Sequence, residues 1–133
     1  MLRLATALMV LFLLAACDPS LRVSFRGNNP PVFLLRGDDR LHEFWVCCED
    51  QSGPANEKNS LWLIVPDGDR PAPSTITYGV VPPGFIQTRP ENNQAPPRLE
   101  EGKRYSCSFV RYWGGGGDCF EISAGKTTHV ECQ

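Results

Sequence analysis

The sequence is poor in alanine, in long apolar runs and in positive charge, and each shortage excludes a class of protein. Beyond residue 16 it has only four alanines against 24 glycines and prolines, which excludes a helical bundle because the usual helix formers are missing. No stretch reaches the roughly 20 apolar residues that a transmembrane helix needs. The 13 Lys and Arg are outnumbered by 15 Asp and Glu, which disfavours nucleic-acid binding. At 133 residues the chain is one small domain.

The first 16 residues have the composition of an export signal. Arg3 supplies a positive start, residues 4–14 form an apolar run broken only by Thr6, and Ala15-Ala16 provides the small side chains of a processing site. This apolar run is too short to cross about 30 Å of hydrocarbon. We therefore expect residues 1–16 to be a signal peptide.

The signal ends in Leu14-Ala15-Ala16-Cys17, which closely resembles the bacterial lipobox, where lipoprotein precursors are lipidated and then cut before the cysteine. The resemblance implies that Cys17 carries a diacylglyceryl group and becomes the acylated first residue, with palmitate-like chains. Two or more chains anchor a protein stably, since each buried CH₂ contributes about 0.8 kcal/mol. Asp18 resembles the residue that retains enteric lipoproteins at the inner membrane, and it favours that membrane over the outer one. No cofactor other than this covalent lipid is expected.

These features divide the chain into a signal peptide (1–16), a lipidated cysteine with a short tether (17–20) and one β domain (21–133). About four connecting residues reach at most roughly 14 Å. We therefore expect the domain to lie against the periplasmic face of the membrane, with any protein partner in or near that membrane.

Export places the five remaining cysteines in an oxidising compartment, where they become disulfide candidates. Short runs at 118–124 and 127–132 flank Gly125-Lys126, and glycine at the first loop position favours a type II′ hairpin turn. In that register Cys119 faces Cys132. We therefore expect a Cys119–Cys132 bridge across the hairpin.

Tyr105 precedes Cys107 by two residues at the start of a predicted strand, which resembles the tyrosine corner of immunoglobulin-like domains. With Cys48 and Trp62 upstream, the spacing also resembles the core of such a sandwich. The resemblance implies a bridge from Cys107 to Cys47 or Cys48. We prefer Cys48 because it shares a strand face with apolar neighbours.

Alternating and apolar runs predict about eight strands, at 21–26, 32–35, 41–48, 61–65, 76–80, 105–112, 119–124 and 127–132. Residues 41–48 also fit helical spacing, but their aromatic content favours a strand. The five prolines between Pro82 and Pro97 exclude a central strand there, so this segment is an ordered crossing or a floppy loop. Gly114–Gly117 is expected to be a flexible corner. The predicted fold class is all-β, a small disulfide-stapled antiparallel sandwich or barrel, with an immunoglobulin-like arrangement as one form of it.

The middle third carries a second resemblance. Ile76-Thr77-Tyr78-Gly79, the run from Pro82 to Gln87, Pro90 and residues 99–105 are similar to a pattern in small exported lipoproteins of Gram-negative bacteria. The similarity supports the class of protein and implies no biochemical role.

Neither catalytic nor metal-binding residues form a recognisable motif. His42 and His129 stand alone, and no Gly-x-Ser-x-Gly turn presents a nucleophile. His42 with Cys47 and Cys48, or His129 with Cys132, could ligate a soft metal. Disulfide use is favoured, since no Cys-x-x-Cys spacing occurs. We therefore expect neither an enzyme nor a metalloprotein.

The leading hypothesis is a non-enzymatic interaction or accessory module of the cell envelope, anchored through Cys17 and contacting a membrane-proximal protein. Phe85 and Trp113 are the candidate contact residues, because aromatic side chains are enriched at interfaces. The alternative is a periplasmic inhibitor or immunity protein, in which the rigid segment 82–97 blocks a toxic or wall-degrading enzyme. The partner and the oligomeric state are open.

Overall fold

The computed structural model describes residues 22–36, 40–49, 56–111 and 114–133. They form nine strands: β1 (Arg22–Arg26), β2 (Val32–Arg36), β3 (Leu41–Cys48), β4 (Trp62–Pro66), β5 (Thr75–Thr77), β6 (Phe85–Arg89), β7 (Arg104–Arg111), β8 (Gly114–Ser123) and β9 (Lys126–Val130). Two short 3₁₀ turns span Glu57–Asn59 and Glu91–Asn93. Within the described ranges, no helix has the length and apolar character to cross a membrane. The predicted all-β class is confirmed.

The strands form two antiparallel sheets that face each other. The smaller sheet has the order β1-β2-β5, and the larger has the order β6-β4-β3-β7-β8-β9. The ring of Phe33 in the smaller sheet lies 5.0 Å from that of Phe44 and 5.7 Å from that of Phe120 in the larger one, between ring centroids. All three side chains are fully buried. The core therefore lies between the sheets, as in a small β-sandwich.

Strand β3 resolves the one ambiguous segment of the sequence. Phe44 and Val46 of this strand pair with β4 on one side and with β7 on the other, and both side chains are buried. A central position satisfies the backbone hydrogen bonds of β3 along both edges. The aromatic and β-branched content therefore outweighed the helical spacing.

The start of β1 and the start of β6 lie at the same end of the sandwich. Arg22 pairs with the last residue of β2, and Pro66 at the end of β4 pairs with Phe85. The loop that follows Pro66 stays at this end, since Asp69 forms an ion pair with Arg40, which directly precedes β3. We call this the entry end, because the N-terminal segment joins the domain here.

The opposite end holds the β8–β9 hairpin against the turn after β1. The N–H of Thr127 donates to the Gly27 carbonyl at 2.8 Å, and the N–H of Asn29 donates to the Gly125 carbonyl at 3.0 Å. We call this the hairpin end.

The predicted Cys119–Cys132 disulfide is present, but the hairpin register differs from the prediction by two residues. The turn residues are Ala124 and Gly125, with φ of 51° and 72°, and Cys119 opposes Val130 rather than Cys132. Positive φ at both positions is typical of a type I′ turn. Cys132 follows the end of β9 and returns to Cys119, with 5.2 Å between their Cα atoms.

Glu101 binds this turn from outside the hairpin. Its carboxylate accepts the N–H of Ala124 and, at 3.2 Å, the N–H of Gly125. A left-handed conformation costs a residue with a Cβ about 1–2 kcal/mol. The two hydrogen bonds offset that cost and explain why the turn begins one residue earlier than predicted.

The glycines at 114–117 lie inside β8, so the expected flexible corner is wrong. A Cβ on Gly117 would lie 2.5 Å from the carbonyl oxygen of Cys107, and one on Gly116 would lie 2.8 Å from the Phe109 ring. The neighbouring strand β7 therefore occupies the space that side chains would need. Glycine is required here by close approach of the strands.

Candidate interaction surface

Val80, Val81 and Ile86 are exposed apolar side chains. Val80 is 59% exposed, Ile86 47% and Val81 37%, and these are the exposed large hydrophobic residues of the described chain. Exposed apolar groups that occur singly need no explanation, whereas neighbouring ones, such as the consecutive Val80 and Val81, mark contact sites. We refer to these three as the exposed aliphatic residues.

Two hydrogen-bonded turns position the exposed aliphatic residues. The N–H of Val80 donates to the Thr77 carbonyl at 2.9 Å, so β5 ends one residue before the buried Tyr78. Alternation predicted Val80 as an inward-facing strand residue, and this prediction is wrong. The N–H of Phe85 donates to the Pro82 carbonyl at 3.1 Å and so begins β6. The exposed side chains are therefore carried by an ordered backbone.

Ile86 lies on an edge strand. Strand β6 stands last in its sheet and pairs with β4, where Ile86 opposes Val65. The prediction that the proline-rich segment is not a central strand is confirmed, because the prolines flank β6 and leave its donors free to pair. The segment is an ordered crossing that contains an edge strand.

Gln87 fixes the proline-rich segment to the core. Its Oε1 accepts the Nε1–H of the buried Trp62 at 2.9 Å, and its Nε2 donates to the carbonyls of Pro90 at 3.0 Å and Gln94 at 2.7 Å. Nearby, the Tyr78 hydroxyl donates to the Pro97 carbonyl at 2.7 Å. Sequence reasoning missed Gln87, because a lone glutamine among prolines belongs to no motif.

The structure describes one of the two aromatic residues predicted to make contacts, Phe85. Phe85 is partly buried and packs against the core, so it is not the exposed aromatic side chain that a contact residue requires. Since side chains alternate along a strand, the neighbouring Ile86 takes the outward position. Trp113, the other predicted contact residue, and Cys17, the predicted lipidation residue, lie outside the described residues.

The expected bridge between Cys48 and Cys107 is wrong, because both carry free thiols. Cys107 opposes Val46, whereas Cys48 opposes Tyr105, so the two cysteines are diagonal neighbours on adjacent strands of one sheet. Diagonal neighbours lie about 7–8 Å apart, beyond the usual Cα separation of a disulfide. The immunoglobulin-like bridge between sheets therefore does not form here.

The buried thiols are also unreactive. Burial raises the pKa of Cys107 to about 12, and burial likewise raises the pKa of Cys47, also free, to about 11. Both thiols therefore stay protonated at neutral pH, whereas thiolate is the reactive form.

Tyr105 makes the contact that the tyrosine-corner resemblance implies. Its hydroxyl accepts the backbone N–H of Glu100 at 2.8 Å, and its ring stacks on Phe120 with 5.6 Å between centroids. The hydrogen bond returns to the segment just upstream of β7, as in a tyrosine corner.

Two of the cavities lined by described residues lie on different parts of the domain. One of about 360 Å³ lies beside the Cys119–Cys132 disulfide and is lined by Ser106, Ser108 and Asp118. The other, of about 230 Å³, is more apolar and lies between Tyr78 and the proline-rich segment, with residues that include Asn29, Pro30, Pro96 and Leu99. Neither is lined by one of the exposed aliphatic residues.

Neither histidine belongs to a candidate metal site in the described part of the chain. His129 Nε2 lies 2.8 Å from Asp118 Oδ1, and Cys132 is engaged in the disulfide and cannot serve as its metal-binding neighbour. Over the described ranges, no group of three or more His, Cys, Asp or Glu side chains could hold a metal ion.

Comparison with known proteins does not place the chain in a family. No family model matches it, and searches of curated proteins and of solved structures found no match. Its function has to be inferred from its own residues.

Proposed function

We propose that this protein is a lipid-anchored module of the bacterial cell envelope that acts through contacts rather than catalysis. The lipobox-like sequence ending at Cys17 supports the anchor, and Asp18 favours the inner membrane. The exposure of Val80, Val81 and Ile86 is the observation that carries the contact role, because neighbouring exposed apolar residues such as Val80 and Val81 mark contact sites.

The start of β1, which follows the proposed anchor in the sequence, and Ile86 lie toward the same end of the domain. Arg22 begins β1 at the entry end, and Ile86 follows Phe85 there. Residues 18–21 reach at most about 14 Å, so the entry end is kept close to the membrane. Ile86 then contacts a partner in or next to that membrane.

Substitution of Cys17 tests the anchor. We expect Cys17→Ser to abolish lipidation and to move the protein from the detergent phase to the aqueous phase on phase separation. Cys48→Ser is the matched control, since Cys48 is a free thiol inside the domain, and this variant should stay in the detergent phase. Equal partitioning of the two variants would contradict the proposal.

A periplasmic inhibitor is the second candidate, and the fixation of residues 90–94 by Gln87 favours it. A pre-ordered segment loses little conformational entropy on entering an enzyme cleft. If this function is correct, Gln87→Ala weakens inhibition, while Thr88→Ala at the exposed neighbouring position leaves it unchanged.

Affinity capture from envelope extracts separates the two candidate functions. Recovery of one hydrolase or toxin favours inhibition, and recovery of a membrane complex favours the contact module.

A further inference from the structure

The more apolar of the two cavities lies at the hairpin end of the sandwich. Asn29, whose N–H donates to the Gly125 carbonyl, lines it together with Tyr78 and part of the proline-rich segment. We call it the Tyr78 cavity. Its wall lacks the backbone donors of three lining prolines, which accounts for its apolar character, and these are Pro30, Pro96 and Pro97.

Hydrogen bonds join the three segments that line the Tyr78 cavity. The Tyr78 hydroxyl donates to the Pro97 carbonyl at 2.7 Å, and the Tyr78 N–H donates to the Pro31 carbonyl at 3.0 Å. Asn29 Nδ2 donates to the Leu99 carbonyl at 3.1 Å. A ligand therefore meets a pre-ordered wall, and binding costs little reorganisation.

The volume of the Tyr78 cavity suits a small molecule. An apolar cavity of about 150 Å³ holds benzene, whereas drug-sized ligands occupy about 300–1,000 Å³. The Tyr78 cavity, of about 230 Å³, accommodates one aromatic ring or branched aliphatic group with a short substituent. Gly79 contributes to this space, because a Cβ at this position would lie 3.4 Å from Cγ of Pro96.

Arg98 supplies a positive charge beside this apolar wall. It is an exposed lining residue, and among the described residues it has neither a hydrogen bond nor an ion pair. The carboxylates that follow it in the sequence are engaged elsewhere, since Glu100 pairs with Lys103 and Glu101 binds the hairpin turn. A guanidinium in this position favours an anionic group, and a carboxylate matches its paired N–H donors.

We propose that the Tyr78 cavity binds a small organic carboxylate. The aromatic or branched aliphatic group of this ligand fills the cavity, and its carboxylate pairs with Arg98. The inference goes beyond the proposed envelope function and does not depend on the lipid anchor.

Titration with phenylacetate tests the site, followed by amide NMR of the full-length protein in detergent micelles. We expect saturable shifts of the amide signals of Gly79 and Leu99, and smaller shifts at Gly117, which lines the other cavity. The neutral isostere phenylacetamide should bind about two- to fivefold more weakly, as for the loss of one exposed ion pair.

Two arginine variants test the role of the charge. Arg98→Gln should remove the preference for phenylacetate over phenylacetamide. Arg36→Gln is the matched control, because Arg36 is also exposed but ends β2 at the entry end, and this variant should keep the preference. The amide spectrum of each variant verifies that it folds.

Three results would overturn the proposal. The first is a titration in which the Gly79 signal does not saturate or in which Gly117 shifts more. The second is equal affinity of the wild type for the two probes. The third is a preference for phenylacetate that Arg98→Gln retains or that Arg36→Gln loses to the same extent.

Discussion

The backbone N–H of Gln133 donates a 2.7 Å hydrogen bond to the carboxylate of Glu49, which precedes it by 84 positions. The other oxygen of Glu49 accepts Nε–H of Arg104 at 2.7 Å, and Arg104 also donates to the Glu131 carbonyl. Together with the Cys119–Cys132 disulfide, these bonds tie the C-terminal residues to β3, β7 and β8. The last residues are therefore a structural part of the domain.

Acid should weaken this attachment. Burial opposes ionisation of Glu49, but the N–H of Gln133 and the Arg104 guanidinium outweigh it and lower the pKa of the carboxyl. A carboxyl whose folded-state pKa lies below its unfolded value of about 4.3 stabilises the fold above that value, and the contribution is lost as the pH falls through the folded-state pKa. We expect the thermal midpoint of Glu49→Gln to fall less than that of the wild type between about pH 6 and pH 3. Glu91→Gln, at an exposed position, is the control, and identical pH profiles for the two variants would count against this role of Glu49.

Removal of the disulfide should destabilise the domain measurably. The bonded cysteines are separated by 13 positions, and closing a loop of this size in the unfolded chain is worth about 2–4 kcal/mol. We expect Cys132→Ser to lower the free energy of unfolding in urea by that amount. Cys48→Ser, which breaks no bridge, should have a smaller effect. A Cys132→Ser variant as stable as wild type would mean that the bridge does not form in solution.

Alkylation should rank the three free thiols by burial. Cys48 is partly buried, whereas Cys47 and Cys107 are fully buried with raised pKa values. N-Ethylmaleimide at neutral pH should therefore modify Cys48 first, and the other two only after unfolding, as read by peptide mass mapping. A peptide in which Cys48 is linked to Cys107 would contradict the pairing described above.

Alanine at Gly116 and at Gly117, two of the four glycines of β8, should give unequal losses of stability. The Cβ of Gly117→Ala meets a backbone oxygen of β7, which cannot move without disturbing the strand pair, whereas that of Gly116→Ala meets the Phe109 ring, which can rotate. We expect Gly117→Ala to cost about 1–3 kcal/mol and Gly116→Ala to cost less, measured by urea unfolding. The reverse order would show that the strands approach differently.

The strand content was predictable because local patterns determine it. The alternation from residue 21 to 26 and the apolar run before Pro66 predicted β1 and β4, and Phe25 of β1 and Trp62 of β4 pack against or within the core. The Cys119–Cys132 bridge was also predictable, because an error of two residues in the strand register leaves each side chain on the same face of the sheet.

The errors arose where contacts distant in the sequence decide local structure. Glu101 lies more than 20 positions before the hairpin turn that it binds, and no local signal predicts that contact. The glycines of β8 indicate a turn when considered alone and become interpretable only beside Phe109. The Cys48–Cys107 expectation failed because spacing does not reveal that β3 and β7 are neighbours in one sheet. The exposure of Ile86 and the partial burial of Phe85 depend on the pairing of β6 with β4.

Intact mass of the native protein extracted from membranes with detergent tests the central proposal most directly. We expect a mature chain that begins at Cys17, carries a diacylglyceryl group and a further acyl chain, and contains one disulfide, between Cys119 and Cys132. A chain that retains residues 1–16, or one that starts at Cys17 without lipid, would contradict the account of an anchored domain held against the bilayer.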